Sequence, residues 1–299
     1  MRKSKIIFYN KAQKIRIVWR ILIFWGLVLI PLIAWQILFR TVAFILGTTP
    51  RSILPVNSYY ATIVGSILIC FAALFANYYS IKKMQQSNFK DFIGWHFNWH
   101  SMKKFIQFFG LGGLIMLIIF LIIIMLKIAT VSIHLPNFNI FIPVLLFHLA
   151  DFLVASLAEE TLDRGYIFRI LSEKSPLLAI IFTSTIFSIG HISENWASSL
   201  SLVNIFIIGC LLGYIYLKTR NLWAIWGFHF GMNVFEGLVF QFPVKGYEKL
   251  SGHIFSYRFN VSDVMSGGSA GITGSVLYTA VVIVIFLILI KVYHKREIS

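Results

Sequence analysis

Only eleven of the 299 residues are acidic, and three of them, Glu159, Glu160 and Asp163, fall within five positions, followed at once by Arg164. Carboxylates in an apolar stretch are costly to remove from water unless they are paired or used. Glu160 and Arg164 stand i,i+4 with the acid first, the favourable order for an intrahelical ion pair. Glu159 then points about 100° away round the helix and is left for other work. Two more polar sets lie in separate apolar runs. Ser184, Ser188 and His191 share one helical face; His229 and Asn233 are i,i+4 on another. A desolvated carboxylate is a stronger base. Glu159 would therefore take a proton from a water held by His191, and the hydroxide would attack a peptide carbonyl. His229 and Asn233 would donate hydrogen bonds to the developing oxyanion, with Glu160 and Arg164 fixing the helix and balancing charge. That is hydrolysis without a side-chain nucleophile.

Each set has a blander counterpart: a helix end that snorkels, a packed histidine, an Asn that bonds a neighbouring helix. Helical rise brings them together, because at ~1.5 Å per residue Glu159 and His191 both lie about 20 Å from their shared turn near Ser172. His229 and Asn233 lie about 12 and 18 Å from the turn at Asn221. Rival chemistries lack their motifs. No His-Glu-x-x-His string is present, and a Ser188–His191 dyad has no Gly-rich oxyanion loop. Glu159, His191 and His229 do match the donor types of a three-ligand zinc site, so zinc or another divalent metal is an alternative. A glutamate–water mechanism needs none, and no cofactor is expected.

The elements that must hold these residues are membrane helices. The chain is 58% apolar and 12% charged with mean hydropathy +0.82, which excludes an ordinary soluble enzyme and a disordered chain. Apolar runs long enough to span a bilayer sit at about 21–39, 59–81, 105–133, 140–165, 176–191, 198–217, 222–242 and 275–293. An all-α polytopic bundle of about eight spans is expected, with a retained first span rather than a cleaved leader. Of 26 Lys and Arg, 19 fall on one side of this topology: Arg2, Lys3, Lys5, Lys11, Lys14, Arg16, Arg20, the 82–104 loop, Arg169, Lys174, Lys218, Arg220 and the C-terminal set. Arg40, Arg51, Lys245, Lys249 and Arg258 fall on the other, while Lys127 and Arg164 are assigned to spans. This bias places both termini in the cytoplasm and explains the +15 charge by topology rather than nucleic-acid binding. Trp95 and Trp99 are expected at the interface, and Ser266–Gly271 as a flexible outside stretch. Cys70 and Cys210 form no disulfide framework. Three regions follow: 1–139 with the N-terminal spans, 140–242 with the polar sets, and 243–299 with the outside loop and last span.

Glu159-Glu160-x-x-x-Arg164-Gly165, Phe187-x-x-x-His191 and His229-x-x-x-Asn233, in this order, resemble the three motifs of the CAAX prenyl protease and bacteriocin-processing (CPBP, or ABI) family of intramembrane endopeptidases. The stretch Leu212–Trp223 resembles the segment before the family's third motif. The resemblance implies that Glu159 is the general base, that His191 helps hold the water, and that His229 and Asn233 stabilise the oxyanion. Family members cleave prenylated CAAX peptides, mature secreted peptides, or confer bacteriocin self-immunity. The implied partners are a peptide or lipid-modified protein and the bilayer, in a bacterial cell membrane. One departure is Asp163, where the family usually has Phe: a third acid that could compete for Arg164, alter Glu159 or add a metal ligand. It motivates an alternative, a non-catalytic immunity or scaffold protein on the same fold. A proton relay or transporter is weaker, because no matching pair of broken helices appears.

Overall fold

The computed structural model describes residues 8–9, 15–53, 59–243 and 254–298. The basic residues at 2, 3, 5, 11, 14, 245 and 249 used in the charge count lie outside them. The chain is a polytopic helical bundle. In order it runs through α1 (Ile17–Ile45), α2 (Tyr59–Ser80, extended by a π-turn at Ile81–Gln85), α3 (Trp99–Met125), β1 (Ala129–Ile133) and α4 (Phe138–Arg164). It continues through α5 (Tyr166–Ser172), α6 (Pro176–Gly190), α7 (Ser199–Thr219), α8 (Leu222–Val234, extended by a π-turn at Phe235–Val239), β2 (Phe255–Phe259) and α9 (Val276–Ile298). Among the described residues six helical stretches are long and apolar enough to cross a membrane, and α6 is a shorter apolar helix of 15 residues.

Two expectations need correction. The run at 105–133 is not one span: α3 stops at Met125, Lys127 takes a left-handed conformation in the following turn, and Ala129–Ile133 pairs as a strand. Its β-branched Thr130, Val131 and Ile133 suit a pleated surface better than a helix. Within the helical bundle β1 and β2 form one short antiparallel pair, with Val131 opposite Tyr257. The Ser266–Gly271 stretch is folded into short helical turns, with Ala270 and Ile272 buried.

At one end of the bundle, side chains tie distant helix ends together. Arg20 donates to Tyr166 Oη (2.6 Å) and to Gln85, whose amide reaches Glu173 (3.4 Å). The loop after α2 joins them: Tyr216 Oη donates to Ile93 O (3.2 Å) and the Leu222 N–H to Gly94 O (3.3 Å). Trp95 stacks there on Trp223 (5.2 Å) rather than lying loose, while Trp99 is exposed. At the other end lie the two strands and the 263–275 turns.

Small residues set the helix spacing. A Cβ at Gly227 would strike the Phe105 carbonyl and one at Gly231 the Phe109 carbonyl, so these glycines let α8 lie against the α3 backbone. Gly209 and Gly213 do the same for α7 against Ser184 and Ile180 of α6. The chain bends between α4 and α5 at Gly165, where Asn77 of α2 bridges the interruption. Asn77 Nδ2 donates to Thr161 O (2.9 Å) and the Tyr166 N–H donates to Asn77 Oδ1 (2.6 Å). Backbone groups freed by the bend are thereby satisfied away from water.

Candidate active site

Three elements deliver the polar sets to one cavity. α4 supplies Glu159, α6 delivers His191 as the residue just past its last turn, and α8 supplies His229 and Asn233. All four line a cavity of about 580 Å³. It extends from them to Gln241–Pro243 and the start of β2.

The two adjacent glutamates have opposite fates. Glu160 is completely buried, whereas the Glu159 side chain is 33% exposed. Glu160 Oε1 accepts from His229 Nδ1 (2.8 Å) and pairs with Arg164 Nη1 (3.4 Å), the i,i+4 contact expected from spacing. Arg164, itself fully buried, also donates to Gly209 O on α7 (3.0 Å) and lies over the Phe187 ring at 4.9 Å. It thus ties α4 to both α6 and α7. The contact between His229 and Glu160 was not legible from spacing, since the residues are 69 positions apart.

Both histidines have assignable tautomers. His191 Nδ1 lies 2.9 Å from Phe187 O, and a carbonyl only accepts, so Nδ1 carries the proton and Nε2 is left as an acceptor. His229 donates through Nδ1 to Glu160, and its Nε2 stands 3.7 Å from Glu159 Oε2. His229 therefore donates from Nε2 only when doubly protonated. Phe187 packs edge-on against both rings, at 5.1 and 5.8 Å, and holds them apart.

Asp163 lies 3.5 Å from Arg164 and is not part of the cavity lining, so it shares the guanidinium rather than joining Glu159. Ser188 Oγ donates to Leu202 O (2.8 Å), a side-chain bond to the backbone of α7. Among the described residues no three His, Cys, Asp or Glu side chains are grouped as a metal site, and this covers the set Glu159, His191 and His229. Sequence reasoning missed Asp151, Glu194 and Glu236, all of which line the cavity. A signal existed for two of them. Glu236 continues the His229–Asn233 face at i+7, and Asp151, Ala155 and Glu159 recur at four-residue spacing. Asn77 carried no such signal.

Apolar helices long enough to span a bilayer, packed around a cavity that carries acidic and histidine side chains, mark an integral membrane protein. The family model described as Type II CAAX prenyl endopeptidase Rce1-like matches residues 141–235, which hold all three motifs. Over that third of its length the chain is similar to the CAAX protease family of endopeptidases. No curated protein and no solved structure matches it.

Proposed function

We propose that this membrane endopeptidase hydrolyses a peptide bond of a membrane-associated or secreted peptide with water activated by Glu159. The observation that carries the proposal is the division between neighbours. Glu160 is buried and bonded to His229 and Arg164, while Glu159 keeps a third of its side chain open to the cavity shared with His191, His229 and Asn233. A general base must reach water; a structural carboxylate need not. His191, held by Phe187 O, presents Nε2 to accept from that water and orient it. Glu159 takes the proton, the hydroxide adds to the carbonyl carbon, and Asn233 with doubly protonated His229 donates to the oxyanion. Glu159 then returns the proton to the leaving amine as the C–N bond breaks. Glu160 keeps His229 oriented and supplies its counter-charge.

This mechanism needs no metal, and activity that survives chelation with metal content near zero is its check. The principal test uses purified protein in lipid nanodiscs with a peptide library that includes prenylated CAAX sequences. Cleavage is expected from the unsubstituted protein and lost in Glu159→Gln; equal cleavage by both removes Glu159 from the role of base.

A further inference from the structure

Two cavity acids have no part in the proposed hydrolysis. Asp151 is 4% exposed and accepts from Ser66 Oγ (2.7 Å). Glu236, on the π-turn one turn beyond Asn233, accepts from Thr273 Oγ1 (2.5 Å). With Glu159 and Glu194 they bring four of the chain's eleven acids into one cavity, and no Lys or Arg lines it. Among the described residues Asp151 and Glu236 hydrogen-bond only to these hydroxyls and form no ion pair. The basic side chains in this lining are His191 and His229, which stand with Glu159, so an arriving cation would supply counter-charge to Asp151 or Glu236. No metal-holding group is formed there among the described residues.

The second observation is in the backbone. The His134 N–H donates to Ile254 O (2.8 Å) and the Asn260 N–H to Ile128 O (2.9 Å). Hydrogen-bonded pairs alternate in an antiparallel ladder. Ser256 and Arg258 therefore bond toward β1, while the amides and carbonyls of Tyr257 and Phe259 point to the outer edge. Among the described residues those groups have no hydrogen-bond partner. The same edge adjoins the cavity. Gln241 Oε1 accepts there from the Phe255 N–H (3.1 Å), and Gln241, Phe255 and Tyr257 all line the cavity.

We infer that the cavity takes its substrate as an extended peptide, added as a third strand to the edge of β2 that has no partner among the described residues, with a Lys or Arg side chain received by Asp151 or Glu236. Strand addition binds any sequence through its backbone, and side-chain pockets then supply the selection. Charge-assisted hydrogen bonds to a carboxylate out of bulk water discriminate strongly against a neutral side chain of equal length. The inference rests on the cavity being the substrate site, as proposed above.

The test uses full-length Glu159→Gln protein in neutral-lipid nanodiscs and fluorescence anisotropy. The probes are a labelled peptide with a central Lys, its norleucine and Glu counterparts, and the Lys peptide N-methylated at alternate amides. The Lys peptide is expected to bind about tenfold tighter than the norleucine peptide, a gap of one decade in Kd. The Glu peptide should bind weakest, and one N-methylation register should cost affinity. Asp151→Asn with Glu236→Gln, which keeps both hydroxyl partners, should erase the Lys advantage. Equal binding of the Lys and norleucine peptides, or of none, overturns the inference. So does an advantage that survives the double substitution, N-methylation without effect in either register, or a divalent cation displacing the Lys peptide at stoichiometric amounts. Lys-selective binding with no cleavage by the unsubstituted protein would sink the proteolytic proposal alone; cleavage without Lys preference would sink this one alone.

Discussion

The floor of the cavity and its mouth are built on different principles. At the floor Arg164 and Glu160 are wholly buried and joined to each other, to His229, to the Gly209 carbonyl and to the face of Phe187. At the mouth, among the described residues, Asp151 and Glu236 are each held by one hydroxyl and β2 is paired on one side only. An unpaired charge in a low-dielectric interior costs several kcal/mol, so the floor must be over-tied if Glu159 is to stand in a fixed place. Groups that exchange partners with a ligand cannot be tied that way. The floor is fixed by many ties, and the mouth is held by few.

Glu159→Gln should separate function from stability most clearly. Turnover is expected to fall on the order of 10²–10⁴-fold, with little change in the unfolding midpoint, because the side chain is partly exposed and outside the Arg164 network. Arg164→Met should do the reverse. It leaves Glu160 and Asp163 buried without their cation, and denaturant unfolding should show a loss of about 3–5 kcal/mol. Asn77→Leu removes both bonds across the Gly165 bend, and about 1–3 kcal/mol is expected in the same measurement. Tyr257→Phe removes only the hydroxyl donated to Phe240 O at the mouth, for about 0.5–1.5 kcal/mol. If Tyr257→Phe proved as costly as Arg164→Met, the distinction between a tied floor and a mouth held by few ties would fail.

Much of the floor was legible along the chain because its spacing is local. Glu160 and Arg164 at i,i+4, the small residues at Gly209 and Gly213 and at Gly227 and Gly231, and the His229–Asn233 face all follow from helical periodicity. The mouth was read poorly. Apolar character alone merged α3 with β1, since hydropathy does not distinguish a membrane helix from a strand packed at its end. The β1–β2 pairing joins residues more than a hundred positions apart, and no local pattern specifies such a partner. Asn77 was invisible for the same reason: its partners, Thr161 and Tyr166, belong to another helix pair.

Composition and hydrophobic period are sums over neighbours in the chain, so membrane residence, the helical class and the chemistry on offer are determined by the amino-acid order alone. Tertiary structure decided which glutamate does what. Burial and counter-charge depend on what other helices bring: His229 reaches Glu160 from α8, and Gly209 and Phe187 anchor Arg164 from α7 and α6. Two identical side chains one position apart thereby become a sealed ionic tie and a carboxylate open to the cavity.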